Sequence, residues 1–255
     1  MSIRAFSEER ELISGACRVL AGRGLADGIL GHISLLVDDD LVLVRCRGAH
    51  EQGLGYTTPD DIRLVHLDGE EGARGELDGW AVPNELPLHA EVLRSRTDVR
   101  AVVHAHPART VAADLAGLQI RPIVGAFDIP GARLAAGGVP VYRRGVLVRD
   151  RRLAQEMVDA MGDRPIVLLR GHGITSAAPS VEQAVLQAIS VDILAALSLQ
   201  IVGAGGTLQD LPAADMSELP DLGAGFNTGF AWRHELARLR GVVLDDPVPP
   251  GAVTS

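Results

Sequence analysis

At 255 residues and 47% hydrophobic, the chain is long enough to bury a full core, and its formal net charge of -9 leaves no basic stripe for nucleic acid. All 24 positive side chains are arginine. Without lysine, Schiff-base chemistry, a P-loop and covalently held pyridoxal phosphate are excluded, so chemistry at carbon needs a metal or another electron sink. No unbroken apolar run reaches the roughly 18 residues of a membrane span. The first residues, MSIRAFSEER, carry no secretory core, so a cytoplasmic protein with no membrane partner is expected. Cys17 and Cys46 are too few for a disulfide framework and read as small buried side chains.

In chain order, Ser7 is placed to cap a helix with apolar residues at Leu12, Ile13, Ala16, Val19 and Leu20, ending near Gly22 to Gly24. A glycine-punctuated loop, Leu25 to Gly31, enters a hairpin of Ile33–Val37 and Leu41–Val44. A polar loop over 47–61 ends in a short helical turn at Thr57-Thr58-Pro59, and Ile62–Leu67 reads as a strand. Asn84 is expected to cap a helix reaching Ser95, with Glu85 and Pro87 in its first turn. Residues 100–105 form a strand, Arg109–Leu115 a helix, and Ile123–Val124 and Val139–Tyr142 short strands. Arg151–Met161 is helical and Pro165–Leu169 a buried strand. Ser180 and Gln183 form a capping box for a long apolar helix through about Ile201. The stretch 203–229 reads as loop, Ala231–Arg240 as an amphipathic helix, and Pro247–Ser255 as a mobile tail. No internal repeat or long linker divides the chain, so one domain over 1–255 is expected.

The chemistry gathers around Val102-Val103-His104-Ala105-His106-Pro107. Strand alternation sets His104 and His106 on one face, where both imidazoles can meet one ion. His172, between Gly171 and Gly173, is a third imidazole exposed by its glycine neighbours. Glu85 supplies a carboxylate at a helix mouth. Three histidines and a carboxylate suit a divalent metal with an open position. His50, His66 and His234 read as surface residues. His89, one turn after Glu85, is either a support to the site or simply packed.

These segments, Glu85 with Leu-Pro-Leu-His, Val-Val-His-Ala-His-Pro, and Arg-Gly-His-Gly, resemble the class II aldolase/adducin family over about residues 8–205, leaving 206–255 as a C-terminal extension. The resemblance implies a three-layer α/β/α fold around a mainly antiparallel sheet. It implies His104, His106 and His172 as ligands of a divalent metal, usually zinc, with manganese, cobalt or iron as alternatives. Glu85 becomes the acid/base that reaches the metal at rest. A cyclic homotetramer, or an assembly of tetramers, is implied as well.

The sequence departs from the family's sugar-phosphate aldolases where they hold phosphate with threonine and asparagine: Ile29 and His32 stand there instead. Isoleucine donates no hydrogen bond. The Gly-His-x-Ser loop is more similar to the family's decarboxylases of hydroxylated aromatic or pyridine dicarboxylates. Such a lyase would use the metal as Lewis acid for an enolate-like charge, on a small anionic substrate contacted by His32, Arg45, Arg47, Tyr56, Thr57 and Thr58. The alternatives are an aldolase or epimerase acting on a sugar phosphate or hydroxy acid, and an adducin-like interaction module without catalysis.

Overall fold

The computed structural model describes residues 5–241. The described residues form nine strands and eight α-helices. The strands are β1 (His32–Leu36), β2 (Leu41–Arg45), β3 (Arg47–Gly48), β4 (Ile62–His66), β5 (Trp80–Ala81), β6 (Ala101–Ala105), β7 (Val141–Tyr142), β8 (Ile166–Leu169) and β9 (Gly173–Ala178). The helices are α1 (Ser7–Gly22), α2 (Leu86–Ser95), α3 (Ala108–Leu115), α4 (Ile129–Ala135), α5 (Arg151–Met161), α6 (Val181–Gly203), α7 (Ala213–Glu218) and α8 (Ala231–Leu239). Seven strands form one sheet in the order β4-β2-β1-β6-β9-β8-β7, and β3 pairs with β5 in a separate ribbon. Every neighbour in the large sheet is antiparallel except β7 and β8.

Strand alternation sorts the sheet's side chains into two cores. Ala101, Val103 and Ala105 of β6 join Ile33 and Leu43 against α1 and α6, where Ile13, Leu20, Val185 and Leu194 are buried. Val102 joins Val44, Val65 and Val167 against α2 and α5, where Leu88, Val92, Met157 and Met161 are buried. Helices on both faces make the expected three-layer α/β/α arrangement around a mainly antiparallel sheet. α6 is long and apolar enough to cross a membrane by length and composition. Glu182, Gln187 and Asp192 interrupt its apolar residues, so the sequence shows no unbroken run there. In the fold α6 packs on the sheet, and Val185, Val191 and Leu194 are fully enclosed.

Several local expectations change. Ser7 is the first helical residue, and Phe6 precedes it at the N-cap with no side-chain cap. Asn84 does not cap α2 either. Glu85 takes the N-cap position without capping, because its carboxylate is bonded elsewhere. Ile123–Val124 is not a strand, since the backbone there pairs only locally and through Leu211 N–H to the Pro122 carbonyl. The stretch over 203–229 contains α7 and a π-helical turn, Gly225–Phe230, built from local backbone bonds that its Gly-rich composition concealed. α4 and β5 were also unforeseen, as was β9, which leaves the Gly-His-Gly turn directly as a strand. The C-terminal stretch packs back on the domain: Trp232 joins the α1/α6 core and Glu235 is ion-paired with Arg23. The expected tail from Pro247 lies outside the described residues.

Candidate metal centre and active site

β6 is the middle strand of the sheet, and His104 sits on its α2-facing side, directly opposite His32 of β1 and Thr175 of β9. His106 follows just past the strand end, where its N–H is held by the Leu25 carbonyl at 2.9 Å. The two imidazoles meet as the alternation requires, Nε2 to Nε2 at 2.8 Å. His172 arrives from the turn between β8 and β9. Gly171 adopts φ +60 there, and a Cβ on Gly173 would strike the Ala105 carbonyl and His106, so glycine on both sides is a packing demand.

Glu85 completes the cluster from the mouth of α2. Its Oε2 lies 3.3 Å from His104 Nε2, 3.7 Å from His172 Nε2 and 3.9 Å from His32 Nε2. Its Oε1 accepts the Val148 N–H at 2.9 Å. Ligand atoms of Glu85, His104, His106 and His172 all lie within 4.8 Å of one another.

The electrostatics match a cation site. Burial alone would raise the Glu85 carboxyl, but the His104 hydrogen bond, His104 and His172, and the Val148 N–H outweigh it and hold it at about 2. Burial, reinforced by the neighbouring imidazoles, lowers His106 to about 3 and also lowers His172. An ionised Glu85 carboxylate beside His106 and His172 held in their neutral forms is the protonation state that a divalent metal requires of such ligands. The residues present therefore fit the implied ion.

The other candidates divide. His32 is 4% exposed and stacks on His104, ring centroids 5.0 Å apart. Its Nδ1 contacts His89 Nε2 at 2.7 Å, and His89 Nδ1 contacts Ser34 Oγ at 2.7 Å. His89 is thus a support of the site rather than mere packing. Arg47 adds positive charge that disfavours protonation of both His32 and His106, and its Nη2 donates to the Ile29 carbonyl at 3.1 Å. Arg45 is buried and committed to Glu51 at 2.5 Å. Thr57 is also buried, its hydroxyl donating to the Leu54 carbonyl at 2.8 Å, and Thr58 is tied to Asp61. Tyr56 is 69% exposed beside Ala21, Gly28 and Gln52. Within one chain, Tyr56 and Thr57 are not drawn into the histidine cluster. A surface groove of about 680 Å³ is lined by Phe127, Leu186, Ile193 and Asn227 and by none of the cluster.

Sequence reasoning missed three supports. Asp114 on α3 accepts the Gly171 N–H at 2.9 Å and so steadies the turn carrying His172. Val148 holds Glu85 through its backbone, which no side-chain pattern can reveal. Ser34 lies two positions after His32 on the same strand face, a spacing that was available to read.

The chain belongs to the family described as class II aldolase and adducin N-terminal domain, whose pattern matches residues 11–199. It is an enzyme of that family, a metal-dependent lyase. It is 73% identical to a protein of Arthrobacter keyseri named 3,4-dihydroxyphthalate decarboxylase, over 90% of this chain and 93% of that one. A protein of the same name from a Terrabacter strain is 66% identical, over 92% of this chain and 98% of that one. Among solved structures, an aldolase II superfamily protein from Pseudomonas syringae superposes with a TM-score of 0.74 at 22% identity, covering 93% of this chain and 95% of that one. That likeness extends the fold assignment across nearly the whole chain.

Proposed function

We propose that this enzyme decarboxylates 3,4-dihydroxyphthalate or a closely related hydroxylated aromatic dicarboxylate. The observation that carries this reading is the 73% identity to a decarboxylase of that substrate across nearly the full length of both chains. The site chemistry supports it. Ile29 and His32 occupy the loop where a phosphate would need hydroxyl or amide donors, while Arg47 and His32 offer partners for carboxylates.

His104, His106 and His172, with Glu85 at rest, would hold the divalent ion. Zinc is the preferred choice for three imidazoles and one carboxylate. When bound, the ion supplies Lewis acidity to the substrate oxygens as the bond to the departing carboxylate breaks. Glu85 handles the proton: Oε2 takes it from the ring hydroxyl and returns it to the ring carbon that loses carbon dioxide. The Val148 N–H keeps that carboxylate aimed through both transfers. Arg47 anchors the carboxylate that stays, and His32 contacts an anionic oxygen of the substrate. Burial of Glu85 and His104 limits the water that reaches the reacting atoms while the ring carries charge.

We also read the chain as one catalytic domain acting in the cytoplasm as a homotetramer or an assembly of tetramers. Exposed Ile29, Leu30 and Tyr56 around the site loop support packing by a neighbouring subunit. The deciding experiment supplies metal-loaded enzyme with 3,4-dihydroxyphthalate and, separately, with sugar 1-phosphates, following carbon dioxide and aldehyde. Carbon dioxide with a dihydroxybenzoate product is expected. Aldehyde from a sugar phosphate, with no carbon dioxide from any dicarboxylate, would transfer the enzyme to the aldolases.

A further inference from the structure

Ser34, His89 and His32 form a hydrogen-bonded line running from the core to the edge of the metal cluster. Ser34 and His89 are fully enclosed and His32 is 4% exposed, so their polar atoms depend on one another. Ser34 Oγ meets His89 Nδ1 at 2.7 Å, and His89 Nε2 meets His32 Nδ1 at 2.7 Å. His32 Nε2 then faces Glu85 Oε2 at 3.9 Å.

Counting hydrogens along this line fixes its direction. Among the described residues, the Ser34 hydroxyl has one partner, His89 Nδ1. A buried hydroxyl hydrogen finds an acceptor in nearly all folded proteins, so Ser34 donates to Nδ1. His89 must then carry its hydrogen on Nε2, and that N–H donates to His32 Nδ1. His32 is left with its own hydrogen on Nε2, at the end that looks into the site. The opposite order would make Ser34 the acceptor and strand its hydrogen among apolar neighbours.

We propose that Ser34 and His89 are positioning residues that lock His32 in its Nε2–H form, so that His32 offers the substrate a fixed hydrogen-bond donor and not a lone pair. The tautomer follows from the protein alone; its use on a carboxylate or ring oxygen rests on the decarboxylase reading above. A donor set before the substrate arrives stabilises negative charge without reorganising during the reaction. The mirror-image tautomer would present a lone pair to an anionic substrate and repel it. His89 also sits one turn along α2 from Glu85, so one helix sets both the proton carrier and the donor.

The test is ring-nitrogen NMR on zinc-loaded protein labelled with 15N-histidine, with His32 and His89 assigned by substitution. Both rings should show a protonated Nε2 and a bare Nδ1. A protonated Nδ1 on His32 in the wild-type protein would overturn the proposal. The second arm compares His89→Gln, whose amide N–H can still donate to His32 Nδ1, with His89→Leu, which cannot. At equal metal content, kcat/KM for the dicarboxylate should fall about ten-fold in His89→Leu and recover largely in His89→Gln. Equal activity in the two variants, both folded, also overturns it. Should no form release carbon dioxide, the substrate reading fails while the ring spectra still decide the tautomer.

Discussion

Glu85 and Val148 stand 63 positions apart in sequence and are joined by one bond, the Val148 N–H donating to Glu85 Oε1 at 2.9 Å. The segment ahead of α5 therefore clamps one carboxylate oxygen and leaves the other for the histidines.

Glu85→Gln keeps that clamp through its amide oxygen but turns an NH2 toward the imidazoles, where it can neither bind metal nor carry a proton. The variant should fold and retain most of its metal through the three histidines, while kcat drops roughly 10²–10⁴-fold. Turnover and metal content measured on the same preparation check this. Near-normal turnover removes Glu85 from the reaction.

His104→Ala, His106→Ala and His172→Ala should each lose most of the bound metal together with activity, because two imidazoles and one carboxylate leave the ion weakly held. Elemental analysis after gel filtration reads the result. Metal near one ion per subunit in all three variants would refute the ligand set.

Arg45 and Arg47 lie two residues apart and should behave differently. Arg47→Ala should raise KM for the dicarboxylate about ten-fold or more with little change in melting temperature, since its guanidinium lies beside His32 and His106 and has no carboxylate partner among the described residues. Arg45→Ala leaves the Glu51 carboxylate with the Gly53 N–H but no cation and should cost roughly 1–3 kcal/mol of stability. Denaturant melts and steady-state kinetics on both variants decide it; a stability loss confined to Arg47→Ala would reverse the assignment.

Cys17 and Cys46 are buried, and burial pushes both thiols from 9.0 up to about 12. Neither should react with a thiol reagent at pH 8 in the native protein, and both should react once it unfolds. Because the folded values are raised, this contribution to stability is complete below pH 9.0 and is lost as pH climbs toward 12. Rapid labelling of either thiol in native protein would contradict the burial.

The metal cluster was legible because its residues obey local rules. His104 and His106 follow strand alternation, His172 is flagged by its glycines, and Glu85 sits at a helix mouth. The substrate side was not legible to the same degree. Tyr56 and Thr57 were drawn from a polar loop and Arg45 from a strand end, where sequence does not tell which way a side chain turns. Thr57 in fact satisfies a backbone carbonyl and Arg45 a carboxylate. The β3–β5 ribbon is two residues on each side, too short for any periodicity, and depends on a pairing distant in sequence. β9 was hidden because Ile174 is the one large apolar residue in Gly173-Ile174-Thr175-Ser176-Ala177-Ala178, too little to form the apolar run that reveals β6 or β8.

β6 is paired with β9 at every residue and with β1 from Ala101 to His104. Freeing His104 would mean breaking both ladders, which is close to unfolding the molecule. The backbone amides around it should therefore exchange hydrogen with solvent as slowly as any in the protein. Arg47 hangs from a two-residue ribbon and Ile29 from the loop between α1 and β1, so both can rearrange without breaking the ladders of that strand. Mutation can explore new carboxylates, rings or sugars at the loop side while the ion-holding machinery stays unchanged, which makes this scaffold well suited to exchanging one carbon–carbon lyase reaction for another.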